Sequence, residues 1–246
     1  MISFSNSYRS TQVEIMDDFN LQGKDMQEVV LDLERVNLLL GGNKITFQGI
    51  VKLLKGENSK KELVLMDIGC GDGAILRNCV RLAKRQGIKI VGIGLDANPY
   101  ILEEARKRSI KYPSLSFKKI DVFSEELKKE KFDIAICTLF THHFTNKEII
   151  QFLEPMVHRA SIGVVVNDLH RSKWAFQLFK VFATIFLKTK IARHDGLVSV
   201  ASGFKKRELQ KISNAMSNVD ATIQWKWAFR FQWILKRREI NAMTKE

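Results

Sequence analysis

The chain has 246 residues, 45% of them apolar, which is enough for one globular domain with a sizeable core. Its longest apolar stretch, residues 174–187, is interrupted by polar side chains and is too short to span a bilayer, which argues against an integral membrane protein. The net charge of +13 favours anionic partners, but the basic residues are dispersed and not interleaved with aromatic ones, which disfavours nucleic acid.

Two helices are predicted before the first strand. Apolar residues recur with helical spacing over 24–40, and Gly41 and Gly42 are expected to end that helix. A shorter helix is predicted over 44–54. We expect residues 1–60 to form a helical cap over a ligand site, and residues 61–246 to form the main domain.

From residue 61 onward, short apolar segments alternate with amphipathic ones. The predicted strands are Leu63–Ile68, Ile88–Leu95, Ser116–Ile120, Phe132–Thr138 and Ile162–Asn167. The predicted helices run from the glycines after the first strand to Gln86, then over Asn98–Lys111 and Asn146–His158. This alternation predicts a doubly wound α/β fold, with a mostly parallel sheet covered on both faces.

A helical insertion is predicted after the fifth strand, at about 172–204. It carries the aromatic residues Trp174, Phe176, Phe179, Phe182 and Phe186. Three interpretations of this insertion remain open. It can form a lid over an apolar substrate, it can pack into the core in the ordinary way, or it can dock on a membrane surface with the help of neighbouring lysines.

The last part of the chain alternates apolar and polar residues from Ile223 to Trp233, which is typical of strands. Since no helix intervenes, two strands are expected to form an antiparallel hairpin that turns near residues 226–229.

A glycine-rich turn joins the first strand to its helix. Gly69 and Gly71 allow the backbone to turn sharply and to lie against a ligand, and with Ala74 they also satisfy a dinucleotide-binding pattern. Asp67 stands two residues before Gly69, where a carboxylate can hold an ammonium group but would repel a pyrophosphate. The glycine turn alone is compatible with a dinucleotide and with a cofactor that carries an ammonium group.

Two more carboxylates follow the next strands. Asp96 closes the second strand, where an acid can accept hydrogen bonds from ribose hydroxyls. Asp121 follows the third strand, where it can accept from the adenine amino group. Because parallel strands end at one edge of a sheet, Asp67, Asp96 and Asp121 are expected to line one crevice. The alternative is that these acids only cap turns.

These motifs resemble those of class I S-adenosylmethionine-dependent methyltransferases over about residues 60–236. The resemblance implies a seven-stranded sheet with one antiparallel strand, and S-adenosylmethionine as the cofactor. It also implies a set of cofactor-binding residues: Asp67, Gly69, Cys70, Gly71, Asp96, Ala97, Asp121, Val122 and Leu139.

Further stretches are similar to a bacterial subgroup of ubiquinone/menaquinone-type methylases that is associated with polyketide and other hydrophobic phenolic products. They are Glu14–Asp18, Val36–Gly42, Asp168–Ser172 and His194–Gly196. This likeness implies a small hydrophobic acceptor, either a phenolic or quinol oxygen or an activated ring carbon.

Removal of a proton from such an acceptor calls for a base, and histidine is suited to that role near neutral pH. His143 follows the fourth strand, His170 follows the fifth, and His194 lies in the insertion. All three are therefore candidate catalytic bases, although a histidine at such a place can also serve only to bind the backbone.

Several alternatives remain at this stage: an RNA or protein methyltransferase, a non-catalytic cofactor-binding module, and a nicotinamide oxidoreductase. The three cysteines, Cys70, Cys79 and Cys137, have no metal-site spacing and are too few for a disulfide framework. Reduced thiols and the absence of an apolar leader favour a cytoplasmic protein without a metal. The oligomeric state cannot be predicted.

Overall fold

A computed structural model describes residues 2–18, 21–55 and 62–238. Its centre is a seven-stranded sheet in the order β3-β2-β1-β4-β5-β7-β6, in which β7 alone runs opposite to the other six strands. The strands are β1 Leu63–Ile68, β2 Ile90–Asp96, β3 Leu115–Lys119, β4 Ile134–Thr138, β5 Gly163–Leu169, β6 Val219–Lys226 and β7 Arg230–Arg237. The predicted doubly wound, mostly parallel sheet is confirmed.

Eight α-helices accompany the sheet in the described part of the chain. They are α1 Gly23–Leu39, α2 Gly42–Leu53, α3 Ala74–Arg85, α4 Pro99–Arg108, α5 Asn146–Arg159, α6 Lys173–Phe186, α7 Lys190–Ser202 and α8 Lys206–Ala215. Apolar residues of α2, α3 and α4 form the core on one face of the sheet. Those of α5 and α8 form the core on the other face, so the sheet is buried on both sides.

The first two helices have different roles. Gly41 has a φ of +71° and ends α1, and α2 begins at once with Gly42. In α2, Phe47, Ile50 and Leu53 pack into the sheet core, so this helix covers the sheet. The expectation that both N-terminal helices cover the ligand site is therefore wrong for α2, because its apolar face is occupied by the sheet.

The C-terminal hairpin turns where it was predicted. Trp227, Ala228 and Phe229 link β6 to β7, and Ala228 and Phe229 have φ values of +61° and +54°. Left-handed backbone at two residues with a side chain is unfavourable, and paired strands on either side hold it in place.

Two elements differ from the sequence prediction. Helix α8 was not predicted, because Leu209 and Ile212 are its main buried apolar residues and leave a weak pattern. Strand β6 begins at Val219, four residues earlier than expected. It lies at the edge of the sheet, where residues 220–222 are exposed and need no apolar alternation.

All three cysteines are free and buried. Burial raises the pKa of the Cys70, Cys79 and Cys137 thiols, so they remain protonated at neutral pH. No helix in the described part of the chain combines the length and apolar content needed to cross a membrane.

Candidate active site

A cavity of about 490 Å³ lies at the carboxyl edge of β1, β2 and β4. Its floor comes from the turns that follow these strands, and its roof comes from α1 and from the segment before it. The predicted cofactor residues that line it are Gly69, Cys70, Gly71, Asp96, Ala97, Asp121, Val122 and Leu139. Its volume is within the range of about 300–1,000 Å³ that is common for small-molecule sites.

The glycine turn adopts backbone conformations that favour glycine. Gly69 has a φ of +68° and Gly71 a φ of +51°. A Cβ added to Gly69 would lie 2.1 Å from Cδ2 of Phe140, whereas one added to Gly71 would meet no atom within 4 Å. Gly69 is therefore required for close packing against Phe140, and Gly71 for the shape of the turn.

Asp96 is held at the end of β2 by the backbone around it. Its Oδ2 accepts a hydrogen bond from the Gly71 amide at 3.0 Å, and its Oδ1 accepts one from the Asn98 amide at 3.0 Å. Burial raises the pKa of Asp96, while these amide donors work to lower it. Each oxygen has lone-pair capacity left for a hydroxyl of a ligand in the cavity.

Asp121 lies two residues beyond β3 and also lines the cavity. Its Oδ1 accepts the Phe123 amide at 2.9 Å, and the residue is exposed. Leu139, just after β4, has a φ of +54°, and its amide donates to the carbonyl of Asn167 at 2.9 Å. A strained residue of this kind often marks a functional loop.

Asp67 occupies a different position from the other two carboxylates. It is buried behind the glycine turn and is not part of the cavity lining, and both of its oxygens lack a hydrogen-bond partner among the described residues. Burial, followed by the nearby Asp96 and Asp72 charges, raises the pKa of Asp67 well above its usual range. The expected common crevice thus includes Asp96 and Asp121, with Asp67 one layer deeper.

His142 lies at the centre of a buried charged triad. Its Nδ1 donates to Asp168 Oδ1 at 2.7 Å, and its Nε2 donates to Glu14 Oε1 at 3.2 Å. Burial works to lower the pKa of His142, but the two carboxylates outweigh it and raise that pKa to about 10. As an imidazolium with both nitrogens engaged, His142 has no lone pair with which to accept a proton.

Two members of this triad also lie close to His143, and the three residues are of types that bind metal ions. The ligand atoms of Glu14, His142 and His143 all lie within 4.8 Å of one another. However, both nitrogens of His142 already donate hydrogen bonds to carboxylates. This arrangement stabilises a proton on His142, whereas a metal ligand must be the neutral imidazole.

His143 differs from its neighbour because one of its nitrogens remains available. Its Nδ1 lies 3.2 Å from Asp17 Oδ2, its side chain is 24% exposed, and it lines the cavity beside Phe140 and Phe144. With a carboxylate beside Nδ1, Nε2 is the nitrogen left to accept a proton.

The other two histidines predicted as bases are outside the cavity lining. His170 accepts a hydrogen bond at Nδ1 from Trp225 Nε1 at 3.3 Å and packs beside Phe231, because it points toward the terminal hairpin. His194 pairs through Nδ1 with Asp195 Oδ1 at 2.9 Å on α7. Only His143 of the three candidates meets the cavity.

The N-terminal segment is held in place by Asp195, the residue after His194. Asp195 Oδ1 accepts the Ile15 amide at 2.8 Å, and its Oδ2 accepts the Met16 amide at 2.9 Å. Glu14 is held from the other side by the hydroxyl of Ser199. These contacts place Glu14, Met16 and Asp17 over the cavity.

Helix α1 forms the rest of the roof. Met26, Val30 and Leu33 give the cavity an apolar wall. Glu34 fixes the helix through ion pairs with Arg77 at 3.0 Å and Arg108 at 3.1 Å. By contrast, none of the five aromatic residues of α6 lines the cavity, so the interpretation of α6 as the lid is wrong. Its Phe176, for example, packs against Phe4.

Comparison with known proteins agrees with this geometry. Residues 66–165 match the family described as "Methyltransferase domain". No curated protein matches the chain in sequence.

Three solved structures illustrate the structural likeness. The plantazolicin methyltransferase BpumL in complex with SAH is 13% identical, with a TM-score of 0.66 over 90% of this chain and 93% of that chain. Magnesium protoporphyrin IX methyltransferase from Synechocystis PCC 6803 with bound SAH is 14% identical, with a TM-score of 0.52 over 94% of this chain and 90% of that chain. Human N-acetylserotonin methyltransferase in complex with SAM is 15% identical, with a TM-score of 0.61 over 93% of this chain and 63% of that chain.

Proposed function

We propose that this chain, which is a class I S-adenosylmethionine-dependent methyltransferase, methylates a small hydrophobic acceptor. The acceptor carries a phenolic or quinol oxygen, or a ring carbon activated by one. The observation that carries this proposal is the pair of His143 and Asp17, which presents a base inside a cavity with apolar walls.

The residues of the cavity fit the cofactor. Asp96 has lone pairs available for ribose hydroxyls, and Asp121 lies where an adenine amino group can be accepted. Asp67 is not part of the cavity lining, but its carboxyl group has no hydrogen-bond partner among the described residues, which suits a cationic amino group held through a bridging water. The same carboxyl group would disfavour a pyrophosphate, so a nicotinamide dinucleotide fits less well. When bound, S-adenosylmethionine supplies an electrophilic methyl group on a sulfonium.

We assign the acceptor to the apolar part of the cavity wall, which is called the acceptor side below. Met16, Met26, Val30 and Leu33 come from the roof, and Phe144 comes from the turn after β4. Apolar walls with few polar groups favour a small aromatic acceptor, because they exclude water from around the ring. They also orient the acceptor, and orientation supplies much of the acceleration in a displacement at a methyl group.

His143 removes the acceptor's proton in this mechanism. Asp17 lies 3.2 Å from Nδ1 of His143 and holds the ring on that side, which leaves Nε2 to take the proton. His142 remains an imidazolium throughout and keeps the turn that carries His143 in place. The phenolate that results is a stronger nucleophile at oxygen and at the ring carbons conjugated with it.

The test is a product screen by mass spectrometry with an isotopically labelled methyl donor. The panel contains phenols, quinols and polyketide lactones, with bulk RNA and a mixture of proteins as alternative acceptors. We expect label in one or more of the small aromatic compounds. Label in RNA or protein alone would replace this proposal with the macromolecular alternative that the net charge of +13 suggests.

A further inference from the structure

Helix α6 exposes an apolar stripe that no other part of the described chain covers. Trp174, Leu178, Val181 and Ile185 follow one another at intervals of four, three and four residues, and therefore share one face of the helix. Their exposed fractions are 73%, 55%, 61% and 67%. Residues on the other side, such as Phe176 and Ala183, are buried, so the helix is held on the protein with this stripe outward.

The apolar surface continues beyond the stripe. Phe186 at the end of α6 is 45% exposed, and Leu38 and Leu39 at the end of α1 are exposed as well. The two helix ends are adjacent, because Val36 of α1 and Ala183 of α6 belong to one buried cluster. Contiguous apolar surface of this kind generally marks an interaction site.

The charges on α6 and on the residues just after it have a single sign. Lys173 and Lys180 lie on α6, and Lys188 and Lys190 follow it; all four are exposed. Residues 173–194 include no Asp or Glu. An apolar stripe on a segment whose only charged side chains are cationic is complementary to a surface that offers acyl chains beneath anionic headgroups.

We infer that α6 docks this protein on an anionic lipid surface, lying in the plane of the interface. At 1.5 Å per residue its 14 residues extend about 21 Å, too short to cross a bilayer but suited to the interface. Trp174 is a residue type that is favoured at that depth, and the lysines reach lipid phosphates. A second copy of the chain is a poorer occupant, since it would bring the same lysines and a net charge of +13 against another +13.

The docking helix is attached to the roof of the cavity. The amides of Lys188 and Thr189, just beyond α6, donate to Oδ2 of Asp32 on α1 at 2.9 Å and 2.8 Å. A lipid surface under α6 would therefore lie beside the helix that covers the cavity. Lipid binding by α6 does not depend on which acceptor the enzyme methylates, and it is measured without turnover.

The experiment is co-sedimentation of the full chain with vesicles. One set contains phosphatidylglycerol mixed with phosphatidylcholine, and the other contains phosphatidylcholine alone. We expect sedimentation with the first set and little with the second. Ile185→Ser should lower the partition coefficient about tenfold or more, and Lys180→Glu at least about fivefold.

Matched controls lie in the connection between α4 and β3. Ile110 is 80% exposed, so Ile110→Ser removes an equally accessible isoleucine from another surface. Lys111→Glu makes the same charge change away from α6. Both controls should bind vesicles as the unaltered chain does, and all four variants should keep the thermal unfolding midpoint.

Three results would overturn the inference. Equal binding to both vesicle sets would remove the role of the lysines, and equal loss in the control variants would remove the role of α6. Absence of vesicle binding by the unaltered chain would leave a protein partner for this face. If the unaltered chain does not bind vesicles, sedimentation velocity tells whether the partner is a second copy. A dimer that Ile185→Ser dissociates would make α6 a contact between copies.

Discussion

The Nε2 atom of His142 donates to Oε1 of Glu14 across 3.2 Å, which joins the turn after β4 to a segment 128 residues earlier in the chain. On its other nitrogen, His142 is bound to Asp168 at the end of β5. The roof of the cavity is thus attached to the sheet through one protonated imidazole between two carboxylates. The stability of this attachment depends on that proton.

The first prediction is a pH dependence of stability. The pKa of His142 is raised to about 10 in the folded chain, compared with about 6.5 for an unfolded histidine. A raised pKa contributes stability that is fully present below about pH 6.5 and is lost as pH rises through the folded value. Urea unfolding at a series of pH values should show this fall. The fall in the free energy of unfolding with pH should be smaller in His142→Gln and unchanged in the control His158→Gln. If His142→Gln shows the same dependence on pH as the unaltered chain, the prediction is wrong.

The second prediction concerns the base. His143→Ala should lower kcat about 10²–10⁴-fold while the affinity for S-adenosylhomocysteine is kept, since His143 meets the acceptor side of the cavity. Asp17→Asn should lower kcat less, and the double variant should lose less than the product of the two effects, because the pair acts as a unit. Turnover with the best phenolic acceptor of the panel measures this, with His158→Ala as the control. A His143→Ala enzyme with normal kcat removes it as the base.

The third prediction concerns ribose. Asp96→Ala should weaken binding of S-adenosylhomocysteine by about 1–3 kcal/mol, because buried hydroxyls lose their acceptor. It also frees the Gly71 amide that Asp96 now holds. Isothermal titration calorimetry gives the affinity, and Asp220→Ala on exposed β6 is the control. Unchanged affinity in Asp96→Ala would mean that this carboxylate does not hold the sugar.

The fourth prediction is proton release on cofactor binding. Burial raises the pKa of Asp67 well above its usual range, which favours the protonated carboxyl group in the free protein. A bound ammonium group lowers that pKa again and drives the proton off. Titration with S-adenosylhomocysteine in buffers of different ionisation enthalpy counts the protons released. Asp67→Asn, which keeps the size of the side chain, should release fewer, and equal release would place the proton's source elsewhere.

The fifth prediction compares two glycines of the same turn. Both have positive φ, so replacement by alanine strains each by about 1–2 kcal/mol. Gly69→Ala in addition brings a Cβ within 2.1 Å of the Phe140 ring, while Gly71→Ala meets open space. Gly69→Ala should therefore lower the free energy of unfolding by a further 1–3 kcal/mol or so. Equal losses in chemical denaturation would show that Phe140 moves aside freely.

Local patterns predicted most of the sheet and the floor of the cavity. Gly69, Gly71 and Asp96 stand at fixed distances from apolar strands, and strand direction alone brings them to one edge. Periodicity failed for α8, where few apolar residues face the core. A second signal was available there, since Glu208 accepts the Lys205 amide at 2.7 Å in the first turn of the helix.

The roof could not be predicted in the same way. Glu14 and Asp195 show no local pattern that relates them to the cavity, and their partners are 128 to 180 residues away in sequence. Contacts of that separation depend on how the whole chain packs. For the same reason the sequence could not rank His143 above His170 and His194. All three follow or adjoin suitable elements, but only His143 lies at the cavity.

The burial of Cys70, Cys79 and Cys137 has a practical consequence for labelling. Since all three thiols are buried and their pKa values are raised, they react slowly with maleimides and other alkylating reagents in the folded protein. One cysteine introduced on an exposed part of the surface would therefore react selectively. A polarity-sensitive fluorophore attached there would report its surroundings without removal of any native residue.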